Sequence, residues 1–353
     1  MSATAPAVFG PAVLDIDCAA TVESLTAWLR VQVGRGLRRR GVVLGVSGGV
    51  DSAVCAALAA RALGPQRVLA LLMPERDSPA DDTARGLRVC ATYGLAHVVE
   101  DLTPMLVALG CYVRRDAAIR ELFPEYGPGW RSKITLAEGL LDDDRLSFFN
   151  LTVAAPDGAQ MRQRMPLPVY LAVTAATNMK QRTRKLLEYH HAERLNYAVV
   201  GTPNRLEYEL GFFVRGGDGL ADVKPIAHLY KTQVFALARW LGVPDEICSR
   251  APDTGTYSLP QSQSEFFFGL PITQLDLLLY AWEHKVPAEA AGAALGLTPE
   301  QIQRVYRDIA AKRRVARQLH QAALVMSAGA VFAGGGSDDD VARTGCDNTD
   351  AAV

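Results

Sequence analysis

GVVLGVSGGVDSAVCAALAARALG, residues 41–64, joins a short apolar run, a glycine-centred polar turn and an Ala/Leu-rich sequel. Residues 42–46 are uninterruptedly apolar and rich in β-branched side chains, as expected of a strand buried on both faces, and residues 53–63 have the composition of a packed helix. Residues 47–52 form the junction. Gly48 and Gly49 lack the Cβ atoms that would hold a ligand off the main chain, so successive amides at the helix N-terminus converge on an anion with the helix dipole behind them. Ser47 and Ser52 add hydroxyl donors. Asp51 would repel a bound phosphate unless a cation lay between them, so it is read as a Mg²⁺ ligand. The alternative is an ordinary strand-to-helix turn in which Asp51 serves as a cap.

Working outward, residues 67–73 (RVLALLM) predict a second buried strand that ends at Pro74, followed by a helix over residues 81–93 and a third strand over 97–100. Residues 197–200 predict a fourth strand that presents Thr202 at the same edge. This alternation implies an α/β fold, a doubly wound parallel sheet with helices on both faces, whose ligands gather at the carboxyl ends of the strands. Upstream, an amphipathic helix from Val22 is expected to close on Arg38, Arg39 and Arg40, cations that suit a helix C-terminus. Residues 110–165 are rich in Pro, Gly, Asp and aromatics without sustained periodicity, which predicts a functional loop or inserted subdomain. Helical spacing returns over residues 170–193, with Lys180, Arg182, Arg184 and Lys185 expected to project from it, and again over 272–284 and 299–326. Residues 1–326 are expected to make one domain whose C-terminal part, 271–326, is helical. Residues 327–353 turn to Ala, Gly and Asp, have little to bury, and read as a disordered tail.

Composition narrows the class. A chain of 353 residues, 49% hydrophobic and 21% charged, can bury a sizeable core. Its net charge of −1 argues against general nucleic-acid binding, which needs a basic excess. The six cysteines are scattered without Cys-x-x-Cys spacing, so neither a zinc site nor a disulfide framework is expected, and reduced thiols in a cytoplasm fit best. No apolar stretch is long enough to span a bilayer and no signal peptide is recognisable, so no membrane association is expected.

The loop is neither a Walker pattern, because no Lys-Ser or Lys-Thr follows its glycines, nor the Gly-x-Gly-x-x-Gly of dinucleotide folds. It resembles the SGGxDS loop of the N-type ATP pyrophosphatases, the PP-loop superfamily. Residues 199–231, VVGTPNRLEYELGFFVRGGDGLADVKPIAHLYK, narrow the resemblance to the NAD synthetase family through Gly201-Thr202, Glu207, Gly211-Phe212-Phe213, Gly217-Asp218-Gly219, Asp222, Pro225 and Lys231. Residues 178–184, NMKQRTR, are similar to the family's NxxARxR helix, and the Pro252 region and Lys312-Arg313 are similar to its C-terminal elements.

The resemblance implies that ATP is a co-substrate held by Gly45, Val46, Ser47, Gly48, Gly49, Val50, Asp51, Ser52, Met73, Thr202, Lys231 and Thr254, with Mg²⁺ held by Asp51 and Glu207. Lys231, Asp51 and Ser47 become the candidate catalytic residues. An ammonium at Lys231 suits the charge that accumulates on departing pyrophosphate, although the residue types alone also allow a lysine that merely opens an exposed helix. Without the resemblance Glu207 reads as a solvated carboxylate, and Asp218 and Asp222 as turn formers. The pyridine dinucleotide substrate is implied at Arg182, Arg215, Asp222 and Lys312. Tyr208, Phe212, Phe213 and Phe266 to Phe268 fit either a ring-stacking site or the core.

The implied reaction is adenylation of the carboxylate of deamido-NAD with release of pyrophosphate, then displacement of AMP by ammonia. Three departures separate the chain from the family pattern. Asp253 follows Pro252, with Thr254 one place later, so that Thr254 reaches the phosphates only if the loop shifts; SQSEFFFGLP replaces an acidic stretch and Ala311 stands where the family has a His; and residues 110–165 are longer than the corresponding family segment. The same chemistry on another carboxylic acid therefore stays open, as does a catalytically silent nucleotide-binding regulator, which retention of Asp51, Glu207 and Lys231 disfavours. About forty residues precede the first strand, too few for a glutaminase domain, so free ammonia or ammonia from a separate glutaminase is expected. The family resemblance implies a homodimer.

Overall fold

The structure is a computed structural model that describes residues 9–136, 140–141 and 148–325. The chain divides into one compact unit, Met1–Leu319, and a second, His320–Val353, of which residues 320–325 are described. The predicted tail, residues 327–353, lies outside the described residues.

The frame is a parallel sheet of β1 (Val42–Gly45), β2 (Val68–Leu72), β3 (Ala96–Val99) and β7 (Ala198–Val199) in the order β3-β2-β1-β7. β1 lies centrally, with Val42 opposite both Val68 and Ala198. Strand alternation sends Val42, Leu44, Val68, Ala70 and Leu72 to one face and Val43, Leu69 and Leu71 to the other. The first face is covered by α1 (Cys18–Val31), α2 (Val50–Leu63), α3 (Ala80–Tyr93) and α8 (Lys231–Leu241), through side chains such as Leu25, Leu29, Leu58, Val89 and Leu237. Onto the second pack α4 (Thr103–Ala108), α5 (Cys111–Arg120) and the 29-residue α6 (Leu167–Leu195). Helices on both faces explain why β1 and β2 read as continuous apolar runs: neither face meets water.

One local expectation is corrected and a second is given its secondary structure. The helix from the N-terminal segment is capped by Asp17, whose carboxylate accepts from the Ala20 amide at 3.0 Å, and it ends at Val31 before a wider turn that contains Gly34 and Gly36. Arg38, Arg39 and Arg40 lie beyond it, on the lead-in to β1, where Arg39 donates to the Asn196 side chain at 2.6 Å. They therefore do not close the helix. The second concerns residues 110–165, which hold α5 and an antiparallel sheet of β4 (Arg131–Leu136), β5 (Phe149–Ala154) and β6 (Gln160–Arg164). The β5–β6 turn carries Asp157-Gly158, with φ of +91° at the glycine and the Ala155 amide donating to Ala159 O at 2.9 Å. Asp-Gly is a hairpin signal that the apparent lack of period conceals. This sheet packs Ile134, Leu151 and Val153 against Ile119, Phe123, Val169 and Tyr257.

The remaining elements follow β7: α7 (Arg205–Leu210), α9 (Asp245–Cys248), α10 (Ile272–Glu283), α11 (Ala288–Leu295) and α12 (Pro299–His320). Helix α12 stops at His320, short of the expected residue 326. Leu206, Leu210, Phe268, Leu278, Ile302 and Val305 join α7 and α10–α12 in one apolar cluster. Among the described residues no helix is long and apolar enough to cross a membrane.

Candidate active site

The carboxyl end of β1 runs straight into the glycine loop, and the Val46 amide still donates to Leu71 O of β2 at 2.8 Å. Gly48 adopts φ of +78°, and a Cβ there would come within 2.7 Å of the Asp82 carbonyl and 2.9 Å of the Arg85 side chain. Only glycine fits that turn without strain. Helix α2 then starts at Val50, so the amides of its first turn are directed at the loop. The two serines close the loop on itself: Ser52 Oγ donates to Gly49 O at 3.0 Å and accepts from the Ser47 amide at 3.3 Å, while Ser47 Oγ accepts from the Gly49 amide at 3.3 Å.

Three charged side chains from distant segments meet beside this loop. Asp51, on the first turn of α2, forms an ion pair through Oδ2 with Lys231 Nζ, which opens α8. Asn204 Nδ2 donates to Asp51 Oδ1 at 3.3 Å, and its own amide donates to Glu207 Oε2 at 3.2 Å. The other Glu207 oxygen accepts from Gln263 Nε2 at 2.9 Å. Asn204 thus caps α7 and spaces both carboxylates, and Gln263 fixes the second. Neither was singled out in the sequence, although Asn-x-x-Glu at residues 204–207 is a capping-box signal.

Lys231 is only 2% exposed, which excludes the solvated helix-opening lysine. Asp276 on α10, itself fully buried, accepts from the Lys231 and Thr232 amides at 3.2 and 2.7 Å and so anchors the start of α8. Burial opposes a charge on Lys231, yet the Asp51 and Glu207 carboxylates together hold its ammonium above the ordinary lysine value. Glu207 is pushed up to about 7, first by burial and then by the negative charge of Asp51, with Lys231 only partly compensating. Two carboxylates against one ammonium leave a deficit of positive charge, and their oxygens are the hard donors that Mg²⁺ takes. Among the described residues no group of three His, Cys, Asp or Glu side chains is placed to hold a metal by itself. This donor set fits a cation that takes its remaining ligands from phosphate and water.

These groups border a cavity of about 450 Å³ at the carboxyl edge of the sheet. Gly45, Val46, Ser47, Gly49, Val50, Asp51, Ser52, Met73, Thr202, Glu207, Lys231 and Thr254 all line it. Gly48 instead turns toward α3. Thr254 reaches the wall from the late loop, its hydroxyl engaged with Gln261 Oε1 at 3.1 Å. Phe212, Phe266 and Phe267 also line the wall, whereas Phe268 is core.

Arg182, Arg215, Asp222 and Lys312 do not border this cavity. Arg182 and Arg215 are exposed neighbours, with Arg182 Nε donating to Arg215 O at 3.3 Å. The Asp222 carboxylate accepts from the Val199 amide at 2.7 Å and from Tyr189 OH at 3.1 Å. Lys312 pairs with Asp308 at 2.7 Å beside a second cavity of about 530 Å³. The expectation that Lys180, Arg184 and Lys185 project from α6 is corrected. Lys180 and Lys185 are buried, and Arg184, Lys185, Glu188 and Asp218 all reach the first cavity. Lys185 pairs with Glu188, and burial raises the carboxyls of Glu188 and Asp218. Helical spacing placed these charges on one helix but could not tell which face was covered.

A sequence profile of the NAD synthase family matches residues 21–121 and 150–318. The chain belongs to the NAD synthase family. Within that family it is 55% identical over 313 residues, 89% of this chain and 93% of the relative, to the NH(3)-dependent NAD(+) synthetase of Rhizobium meliloti (strain 1021). It is 36% identical to the enzyme of that name from Thermotoga maritima, over 74% of this chain and 86% of the relative. Among solved structures, the fold is similar to that of the NH3-dependent NAD synthetase from Campylobacter jejuni, with a TM-score of 0.59 and 20% identity over 89% of this chain and all of the other. The NMN synthetase from Francisella tularensis shares the fold as well, with a TM-score of 0.60 and 22% identity over 88% of this chain and 99% of that one. The family match leaves residues 122–149 unmatched, the stretch that holds β4.

Proposed function

We propose that this member of the NAD synthase family forms an amide from deamido-NAD, ATP and ammonia, with release of AMP and pyrophosphate. The observation that carries the reading is the convergence of Asp51, Glu207 and Lys231 on the glycine loop, inside one cavity at the edge of the sheet. High identity to relatives named for ammonia-dependent NAD synthesis, over nearly their whole length, supports the acceptor and the nitrogen source.

In this reading the first-turn amides of α2 and the glycine main chain hold the β and γ phosphates. Asp51 and Glu207 hold Mg²⁺, which when bound neutralises the polyphosphate. The deamido-NAD carboxylate oxygen attacks the α phosphorus, the bond to the bridging oxygen breaks, and the electron pair leaves on pyrophosphate. Lys231, kept protonated by its carboxylate neighbours, stabilises that growing charge. Ammonia then attacks the acyl carbon of the adenylate, loses a proton and expels AMP. Ser47 shapes the loop through its bonds to Gly49 and Ser52.

Arg182, Arg215, Asp222 and Lys312 are proposed as acceptor contacts outside the ATP cavity. Arg182 lies on a face of α6 that also exposes Leu171 (54%) and Leu186 (66%), an apolar stripe that supports a homodimer in which a second copy covers it. The unpaired Cys55, Cys90 and Cys111 support a reducing, cytoplasmic setting. The test is pyrophosphate release with ATP, Mg²⁺ and ammonium. Deamido-NAD is consumed with one pyrophosphate per amide, and glutamine in place of ammonium gives no amide. Intact ATP binding without turnover of deamido-NAD would move the assignment to another carboxylic acid.

A further inference from the structure

Beneath the ATP cavity lies a charged cluster in which Lys180 of α6 is 0% exposed. An ammonium has three N–H donors, and all three are used. Nζ donates to Glu75 Oε1 at 2.9 Å, to Asp77 Oδ2 at 2.7 Å and to the main-chain carbonyl of Thr256 at 2.8 Å. The carboxylates belong to the loop that follows β2, and Thr256 belongs to the late loop after α9. Each loop also supplies cavity wall: Pro74 and Ser78 from the first, Thr254 and Thr256 from the second. The cluster is closed by α5, where Tyr112 OH donates to Glu75 Oε2 at 2.8 Å and Arg115 pairs with Asp77. Glu75 Oε2 further accepts from the Asp77 amide at 3.1 Å, so the first loop is tied to itself.

Such a cluster is a weak source of stability, because desolvating buried charges offsets most of their attraction and well-packed apolar side chains often serve a fold as well. What an apolar side chain cannot do is hold a carbonyl of one loop at a fixed distance from the carboxylates of another. One turn further along α6, Arg184 reaches the cavity itself, so the same helix contacts both loops and lines the site.

We propose that Lys180 is a positioning residue that clamps the late loop, through the Thr256 carbonyl, to the loop after β2, and so sets the width of the ATP cavity before nucleotide arrives. This deepens the ATP-dependent reading above and rests on it. Lys180→Met keeps the length of the side chain and removes its three donors. Calorimetry with ATP and Mg²⁺, without acceptor, shows ATP affinity weakened by about tenfold, in keeping with the cost of misplacing a positioning group. A merely structural role would lower the melting temperature and leave ATP affinity in the folded fraction unchanged, and that result overturns the proposal. Should the variant not fold, amide exchange on the unaltered protein decides: slow exchange over residues 253–258 without nucleotide supports the clamp, and exchange as fast as in unstructured chain overturns it. Neither calorimetry nor exchange needs the acceptor. A failure of deamido-NAD turnover is therefore distinguishable from a failure of the clamp.

Discussion

At the scale of single residues, Asp51 has two partners whose demands differ. It is paired with Lys231 and faces Glu207, and a bound cation must share it with both. Asp51→Asn keeps the shape and the Asn204 contact but removes the charge that holds both Mg²⁺ and the Lys231 ammonium. Pyrophosphate release falls by at least about a hundredfold, the scale of losing an electrostatic contact to the transition state, while circular dichroism stays native. An active variant would remove Asp51 from the metal site. Gly48 is set by space rather than charge. Gly48→Ala meets the Asp82 carbonyl and a positive φ at once, and lowers the melting temperature as well as ATP binding; a variant as stable as the original would show that the loop relaxes freely.

At the scale of elements, α8 is valuable for where it starts. Its first residue is Lys231, and its first two amides are held by Asp276 on α10. Asp276→Ala removes that cap and costs about 1 kcal/mol, read by urea denaturation, together with a loss of activity because Lys231 is no longer anchored. Asp276→Asn keeps an acceptor oxygen and separates cap from charge. Burial lifts the Asp276 carboxyl to about 6 from an ordinary 3.8, so between those values the folded protein binds more protons than the unfolded chain. Its contribution to stability therefore falls as pH rises through that window. The stability of the Asn variant relative to the original accordingly rises from pH 4 toward pH 6, and a pH-independent difference contradicts the assignment.

At the scale of the molecule, the antiparallel sheet of residues 131–164 is stitched to the late loop that walls the ATP cavity. Ser258 Oγ accepts from the Ser132 amide at 2.8 Å, Leu259 N donates to Ser132 O at 3.1 Å, Gln261 donates to Ile134 O, and Lys133 pairs with Glu265 at 2.7 Å. The sheet is thus connected to the late loop through one main-chain bond and three contacts that use side chains. A second whole-molecule expectation concerns the exposed α6 stripe. Leu186→Lys puts a charge on it and shifts light-scattering mass toward the monomer, with deamido-NAD KM rising; a monomeric original protein would end the homodimer proposal.

The glycine loop, the first three strands and the Lys231 region were legible in the sequence because their signals are local: an apolar run, a pair of glycines, and fixed spacings within tens of residues. Residues 47–52 alone specified an anion cradle, and their residue types implied a cation at Asp51. The inserted sheet was obscured because the partners of its strands are set by pairing across a gap rather than by period. Charges on α6 were visible, but not their burial, since a 29-residue helix with charge on most faces gives no moment to orient it. Only the tertiary structure decided that Lys180 binds two loops, that Asn204 and Gln263 fix the carboxylates, and that Asp276 anchors Lys231. Apart from the local Asn204–Glu207 cap, those contacts join residues 45 to 153 positions apart, and hydrogen bonds of that kind leave no periodic mark on the chain that makes them.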